Sequence, residues 1–437
     1  MAKAPAPQSI VRIGVLGCGN VGAAFVQLVE RQADIIEART GVRLQVANVA
    51  VRNISRDREI SLPDGVLTRD AHAVVADPSI DLIVEVIGGI EPARELISTA
   101  IANGKPVVTA NKELLANVGH ELWAQSDAAG VDLLFEAAVA GGIPLIRALR
   151  ESLRGEPITR VMGIVNGTTN FILSKMSDQR ITFAAALKEA QALGYAEADP
   201  TADIEGFDAA AKAAILSGLA FHTRVTVEDV YREGISSITL EDVQIAKSMD
   251  HVIKLLAIAE LTPSDEISVR VHPVLLHKSH PLASVRDAFN AVFIEAESAG
   301  PLMFYGRGAG GAPTASAILG DVVAVSRHIA LNSTGQRETD YADRDIALIE
   351  STKTKFLIRL EVKDKSGVLA AIAQTFAEQD VSIQTVDQNG RGADAELIIV
   401  THGATEGELK ATVEALKKLP IVTKISSVIR VEGSTSL

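Results

Sequence analysis

The 437-residue sequence holds one cysteine, Cys18, so no disulfide can form within the chain, and a reducing compartment is the expected setting. Positive charge is also in deficit: 42 Lys and Arg stand against 55 Asp and Glu, giving a net charge of −13 and an isoelectric point near 5.3. That balance argues against nucleic acid or an anionic membrane as the main partner, since both require a basic footprint. Long apolar runs are missing as well. Residues 131–146, among the most apolar, are interrupted by Glu136 and by Gly141-Gly142 and fall short of a spanning helix. Residues 1–9 lack an apolar segment of signal-peptide length, so a cytoplasmic location is expected. What is abundant is core material: 47% of residues are hydrophobic, and the length suggests roughly three domains.

Residues 10–16 are a short apolar run that feeds into Gly17-Cys18-Gly19-Asn20-Val21-Gly22 and then a helical pattern over 23–30. Strand, glycine turn and helix form a dinucleotide-binding arrangement. Gly17 permits the tight turn, Gly19 lets the backbone approach a pyrophosphate, Gly22 allows close helix packing, and the helix N-terminus attracts phosphate. Gly17, Gly19, Asn20, Val21 and Gly22 are therefore the expected cofactor contacts. Further strands expected at 44–51, 81–87, 105–109 and 131–136, with helices at 92–102 and 112–129 between them, predict an α/β fold with a doubly wound parallel sheet. Gly88-Gly89, Asn111-Lys112 and Ala140-Gly141-Gly142 each follow a strand, which places them on the carboxyl edge where ligands bind. At the end of the second strand stands Arg52-Asn53, without the acid that reads a ribose hydroxyl. Arg52, helped by Arg56 or Arg58, suits a 2′-phosphate and hence NADP(H), with NAD(H) left open; the alternative is arginines that cover a solvated loop. Lys112 opens a helix, where the macrodipole disfavours a cation. Such a lysine suits a substrate carboxylate or the cofactor, the alternative being an exposed side chain.

The densest group of ionisable side chains is Glu197-Ala-Asp199-Pro-Thr-Ala-Asp203-Ile-Glu205-Gly-Phe-Asp208-Ala-Ala-Ala-Lys212, five carboxylates in twelve residues followed by a lysine. It precedes an apolar helix running to Phe221. Asp208 and Lys212 stand at i,i+4 and stack on one helical face. A surface salt bridge is the plain alternative. A charged pair within an apolar helix is costly unless satisfied and used, which favours a site. Asp203 is expected to cap the helix.

The middle region reads as a mixed sheet covered by helices, with strands at 158–165, 267–274 and 290–297. Asn166-Gly167 is expected as a turn, and Thr168-Thr169-Asn170 as the cap of a helix around 171–176. His277 and His280 lie in a proline-containing loop without further ligands at useful spacing, so no metal is expected there. A second glycine-rich loop, Tyr305-Gly-Arg-Gly-Ala-Gly310-Gly-Ala-Pro313, leads into a helix over 314–330. Gly310 serves the turn or lets bare backbone approach the cofactor. Residues 332–351 are polar and read as a linker. Beyond it, segments at 355–362, 367–379, 381–388, 396–402, 406–418 and 422–431 give the strand-helix-strand-strand-helix-strand order of a ferredoxin-like module, expected to regulate or oligomerise.

Together the glycine turn, Thr109-Ala-Asn-Lys112, Glu136-Ala-Ala-Val139-Ala-Gly141-Gly142, Gly163-Ile-Val-Asn-Gly-Thr-Thr-Asn170, Gly194-Tyr-Ala-Glu197-Ala-Asp-Pro200 and Gly206-Phe-Asp208-Ala-Ala-Ala-Lys212 resemble homoserine dehydrogenase over residues 10–330. Lys363-Asp-Lys-Ser-Gly-Val-Leu369 and the segments around it resemble an ACT domain. The resemblance implies a Rossmann-type domain at 1–140, with 305–330 packing back onto it. A mixed α/β catalytic and dimerisation domain at 141–330, a linker at 331–350 and an ACT domain at 351–437 would follow. No aspartokinase-like region precedes these, so the monofunctional form is expected. The implied reaction interconverts L-aspartate 4-semialdehyde and L-homoserine with NADPH or NADH, on the route to threonine, isoleucine and methionine. The resemblance makes Lys212 the proton donor, gives Glu197 and Asp208 to the substrate and Lys112 to substrate and cofactor, and sets Gly194 beside the nicotinamide. It also implies a monovalent-cation site, Na+ or K+, at Glu136, Val139, Gly141 and Ile143, made largely of backbone carbonyls. L-threonine is the expected effector, and a homodimer or homotetramer the expected assembly. The residue chemistry is compatible: an amino-acid substrate needs carboxylates for its ammonium and a cation for its carboxylate. Aldehyde oxidation through a thioester would need a nucleophilic cysteine, and Cys18 sits in the cofactor turn. A dehydrogenase for a related amino acid and a catalytically silent amino-acid sensor are the alternatives.

Overall fold

The computed structural model describes residues 9–56, 58, 60, 62–337, 342–390 and 395–433. The signal-peptide expectation therefore falls almost wholly outside the described residues, as do 338–341 of the expected linker and 391–394 and 434–437 of the terminal module.

In chain order the elements begin with β1 (Ser9–Leu16), α1 (Asn20–Thr40), β2 (Val42–Ala50), β3 (Leu67–Thr68), α2 (Ala71–Ala76), β4 (Leu82–Glu85), α3 (Ala93–Ala102), β5 (Val107–Thr109), α4 (Lys112–Ala129) and β6 (Leu133–Leu134). Then come β7 (Ile158–Ile164), α5 (Gly167–Gln179), α6 (Phe183–Ala192), α7 (Thr201–Ile204), α8 (Phe207–Phe221), β8 (Tyr231–Arg232), α9 (Leu240–Ser248), β9 (His251–Leu261), β10 (Ile267–His277) and β11 (Phe289–Ala296). β12 (Gly300–Arg307) and α10 (Gly311–Leu331) follow. The chain closes with β13 (Lys353–Val362), α11 (Val368–Ala377), β14 (Ile383–Asn389), β15 (Ala395–Thr401), β16 (Ala404–Thr405), α12 (Glu406–Lys417) and β17 (Val422–Glu432). Two compact units result: residues 1–158, 214–228 and 296–343 form the first, and 159–213, 229–295 and 344–437 the second.

The first unit carries a parallel sheet in the order β3-β2-β1-β4-β5-β6. All four residues of β4 are buried, as expected of a strand covered on both faces. On one face α1 and α10 meet through Phe25, Val26 and Val29 and through Ala315, Ile318, Val322 and Val325. α10 is long and apolar enough to cross a membrane by length and composition, but these side chains are buried in the core. On the other face α2, α3 and α4 supply Val74, Leu96, Ile97, Leu114 and Leu122. The carboxyl ends of the neighbouring strands β1 and β4, where the strand order reverses, flank the usual ligand crevice of such sheets.

Local chemistry fixes the ends. Asp70 and Asn111 cap α2 and α4 with side-chain oxygens, and Gly41 and Gly130 end α1 and α4 in the left-handed region. Two expectations change here. The strand expected over 131–136 shrinks to β6, because Glu136 turns into a 3₁₀ turn whose amide donates to Asp321. α10 starts at Gly311 rather than 314, and Tyr305-Gly306-Arg307 belong to β12.

The second unit is built on a sheet ordered β11-β7-β9-β10-β17-β13-β15-β14, with β8 added beside β10 and β16 beside β13. β9, unforeseen from the sequence, pairs antiparallel with β10 along its whole length. β17 runs parallel to β10 at Val274–Leu276, so the C-terminal module continues the same sheet. Residues expected as linker also pair with it: Ile267 donates to Asp345 O, and Ala347 to Ile267 O, both at 2.9 Å.

Buried charge reinforces the junction. Arg160 and Arg270 both engage Glu260 and Glu432, Arg430 engages Glu233 and Glu406, and Arg359 engages Asp242 and Glu396. Burial alone would push Glu432 up, but Arg160 and Arg270 outweigh it and hold its carboxyl below the ordinary value. Removing one partner of such a pair typically costs about 3–5 kcal/mol, because the other charge stays buried.

Candidate active site

In the first unit the glycine turn has the geometry its residues require. Gly17 adopts φ +102°, and a Cβ there would lie 2.7 Å from Val86 O. A Cβ on Gly22 would lie 2.4 Å from Gly17 O, which explains why the helix can follow so closely. Around Gly19 there is nothing within 4 Å of a Cβ position, leaving open space over the first turn of α1, where Asn20 and Val21 stand. The amides of that turn have no acceptor inside the helix and suit an anion. The Gly310-Gly311 start of α10 lies against it: a Cβ on Gly311 would be 3.2 Å from Asn20 O. These features fit a dinucleotide, with bare backbone where a pyrophosphate must approach.

Arg52 is exposed two residues past the end of β2. Its neighbour Arg58 is tied down, its guanidinium donating to Asn53 O at 2.7 Å and to Cys18 O at 3.3 Å. Burial pushes the Cys18 thiol up, contrary to what a nucleophile needs. Gly88 sits at φ +81°, its amide donating to Glu85. Glu85, which sequence reading missed, is fully buried at the end of β4 and gathers the amides of Ile87 and Gly88 and the Thr109 hydroxyl. Burial pushes its carboxyl up. The signal in the sequence was an acid ending an otherwise apolar strand just before Gly88-Gly89. Asn111 caps α4 and donates to Gly89 O at 2.7 Å, so half-buried Lys112 opens α4 beside that loop.

Glu136, Val139, Gly141 and Ile143 lie on one tight loop, where Ala140 and Gly141 have φ +55° and +38°. The Glu136 carboxylate accepts the amides of Ile146 and Arg147 at 2.8 Å, and Arg147 reaches Asp321 at 2.8 Å. Burial pushes Asp321 up to about 7 and Glu136 upward. The side chain of Glu136 thus serves its own loop, and the loop's backbone carbonyls are oxygen donors of the type that a hard cation takes. Ile143 O already accepts from Leu145, which leaves a carbonyl's second lone pair. Among the described residues no group of three His, Cys, Asp or Glu is placed to hold a metal. His280 accepts the Leu282 amide and His277 meets Ser279, so both have local structural partners.

In the second unit, β7 ends at Ile164 and delivers Val165 and Asn166 to α8. Lys212 is 7% exposed and Asp208 8%. The Lys212 ammonium donates to Val165 O at 2.6 Å and to Asp208 Oδ2 at 2.7 Å. The expected stacking of the pair is therefore present, and the pair is buried rather than a surface bridge. Asn166 donates from Nδ2 to Asp203 Oδ1 at 2.7 Å and to Asp208 Oδ2 at 2.8 Å. Two assignments of caps are corrected. Asn166, not Thr168-Thr169-Asn170, caps α5, because α5 already starts at Gly167 and the Asn166 side chain reaches the Thr169 amide. Asp203 does not cap α8; its carboxylate is taken by Asn166, and burial pushes it up. Glu197 is exposed on the loop after Gly194, which turns at φ +76°. Thr168 ties that loop to α5 by donating to Tyr195 O at 2.6 Å. Asp199 accepts from Thr201, and Glu205 from Ser236, so both are structural. In the terminal module a cavity of about 210 Å³ is lined by Lys363, Asp364, Gly367, Leu369 and Gln388.

The chain matches the family model for homoserine dehydrogenase over residues 144–323, that for the homoserine dehydrogenase NAD-binding domain over 17–136, and that for the ACT domain over 356–421. It is 52% identical to the homoserine dehydrogenase of Corynebacterium glutamicum, covering 98% of this chain and 96% of that one. The structure resembles a homoserine dehydrogenase from Thiobacillus denitrificans at a TM-score of 0.92 and 43% identity, covering 97% and 99% of the two chains. It also resembles a hyperthermophilic archaeal homoserine dehydrogenase in complex with NADPH, at a TM-score of 0.62 and 30% identity over 72% of this chain and 98% of that one. A likeness of this extent, on top of a dinucleotide turn and a buried lysine–carboxylate pair, places the chain in the homoserine dehydrogenase family, with an ACT domain.

Proposed function

We propose that the protein reversibly reduces L-aspartate 4-semialdehyde to L-homoserine with Lys212 as proton donor, on the route to threonine, isoleucine and methionine. The observation that carries this is the Lys212 ammonium, buried on α8 and held by Val165 O and Asp208 Oδ2. The nicotinamide cofactor, when bound, supplies the hydride. Lys212 stabilises the negative charge that grows on the aldehyde oxygen and gives it a proton. Asp208 supplies the counter-charge and fixes the lysine's direction. Glu197, exposed on its loop, takes the substrate ammonium, and Lys112 takes the substrate carboxylate and contacts the cofactor.

NADP(H) is the preferred cofactor in this reading. Arg52 stands where an acid would otherwise read the ribose hydroxyl, and the archaeal relative's NADPH complex supports the same choice. Gly17, Gly19, Asn20, Val21, Gly22, Gly88, Gly194 and Gly310 complete its contacts. The carbonyls of Glu136, Val139, Gly141 and Ile143 would hold Na+ or K+, which contributes local positive charge. L-threonine acts through the ACT cavity, and the protein works as a homodimer or homotetramer. The functional division runs 1–140, 141–330 and 351–437, with 331–350 as linker.

Nicotinamide absorbance measured with L-homoserine and a panel of related hydroxy amino acids tests the assignment. NADP+-dependent turnover of homoserine, lost in a folded Lys212→Ala variant, is expected. Calorimetric binding of an amino acid without any turnover would contradict it. For the effector, Asp364→Asn is the appropriate variant, since deleting the module would strand Arg160 and Arg270 without Glu432. Unchanged threonine inhibition in that variant would remove the cavity from the account.

A further inference from the structure

Asn166 is 4% exposed, and each of its three polar hydrogen-bonding positions has a partner. Its Oδ1 accepts the Thr169 amide at 2.9 Å and caps α5. Its two Nδ2 hydrogens go to Asp203 Oδ1 at 2.7 Å and Asp208 Oδ2 at 2.8 Å. The orientation of the carboxamide follows from these partners. Flipped, it would set an oxygen against two carboxylates and an N–H against an amide N–H. Asp208 Oδ2 is at the same time the acceptor for Lys212, and the lysine's other acceptor is the carbonyl of Val165, the residue before Asn166. Consecutive residues at the end of β7 therefore grip both members of the i,i+4 pair, one through its backbone and one through its side chain.

We infer that Asn166 is a positioning residue for proton transfer, its carboxamide bridging Asp203 and Asp208 so that Asp208 holds the Lys212 ammonium in one direction. This rests on Lys212 being the proton donor. Only a carboxamide does all three tasks at this reach. Serine and aspartate both cap a helix well, but serine has one donor and aspartate has none. The bridge also bears on charge. Among the groups facing the two carboxylates are Lys212 on α8, Asn166 at the cap of α5 and Thr168 on α5, while each carboxylate faces the other from α7 and α8. Burial pushes Asp203 up and the charge of Asp208 adds to this, whereas the Asn166 N–H favours the ionised form. Without that N–H the Asp203 carboxyl, already pushed up by burial, protonates at higher pH, and Asp208 loses a donor that helps hold it against Lys212.

The full-length protein carrying Asn166→Ser, which keeps the cap and loses the bridge, provides the test. Its thermal midpoint should fall by only a few degrees, since the cap is kept while two carboxylates lose a donor, and KM for NADP+ should be unchanged. Turnover should fall roughly 10- to 100-fold, the scale of a lost charge-assisted hydrogen bond. The acidic limb of the kcat profile should move to higher pH, which a purely structural defect would not produce. Wild-type turnover and an unmoved acidic limb in Asn166→Ser, alongside an inactive Lys212→Ala, would overturn the inference alone. Retained turnover in Lys212→Ala would instead remove the reading beneath it. Should Asn166→Ser not fold, the near-isosteric Asn166→Asp is measured by the same criteria. Failure of both to fold, with the cap retained in each, would show a structural role and also overturn the proposal.

Discussion

The glycine turn works through side chains that are absent, whereas the Lys212 cluster works through polar groups, side-chain and backbone, that meet across 42 and 47 residues of chain. In the turn each glycine has a separate reason: a left-handed φ at Gly17, a close backbone at Gly22, open space at Gly19. Any side chain there obstructs something, and the obstruction is local. Around Lys212 the requirement is the opposite, since a buried ammonium is tolerable only when oxygen acceptors surround it. Those acceptors come from Asp208 one helical turn away and from Val165 at the end of a distant strand. One site is a backbone shape that a hexapeptide can specify; the other exists only after the second unit has folded.

Substitutions can sharpen that contrast, and the largest effect is expected at Lys212. Lys212→Ala should lower kcat by about 10²–10⁴-fold. Its circular dichroism should remain native, because the alanine suits the helix. Next come the glycines, where the account separates two kinds of failure. Gly22→Ala places a Cβ 2.4 Å from Gly17 O, so the backbone must shift, and both stability and KM for the cofactor should suffer. Gly19→Ala meets nothing within 4 Å and should melt normally, yet raise KM for NADP+ by about tenfold or more by standing where phosphate must approach. Equal melting losses in both variants would show that the turn is merely structural.

A smaller effect concerns the junction between β10 and β17. Glu432 and Asp242 are buried and Glu233 is half-buried, which alone would raise their pKa values. Arginines and hydroxyl or backbone donors outweigh burial and hold all three carboxyls below their ordinary range. Their stabilisation is therefore fully present above about pH 4.5 and is lost as pH falls through the lowered native values. Thermal midpoints measured from neutral pH downward should drop steeply below that point, and Glu432→Gln should lower the neutral midpoint and flatten the drop. The smallest effect is expected at Arg52: Arg52→Ala should weaken NADP+ by roughly tenfold and leave NAD+ nearly unchanged, as read from initial rates with each cofactor. Equal weakening of both would assign the 2′-phosphate to another group.

Much of this architecture was legible in the sequence because it depends on short-range rules. The turn at 17–22, the alternation of the first sheet, the α4 boundaries and the strand-helix order of the ACT module all follow from local periodicity and glycine placement. The i,i+4 spacing of Asp208 and Lys212 likewise fixed their contact. What was not legible depends on distant partners. Asn166 looked like a turn residue because its Nδ2 partners lie 37 and 42 positions away. Asp203 looked like a cap because nothing nearby indicates that Asn166 reaches it. Glu85 and Asp321 are acids buried in apolar settings, and their partners come from other elements. The parallel pairing of β17 with β10 brings together residues more than 150 positions apart, and no local pattern carries that register.

The most direct measurement is chemical rescue of Lys212→Ala by small primary amines. Added alkylammonium should restore NADP+-dependent homoserine turnover in the folded variant, with a rate that depends on the pKa of the amine, as expected when an amine replaces the missing proton donor. Turnover near the wild-type value without any amine would contradict the account. So would a loss that no amine of fitting size restores.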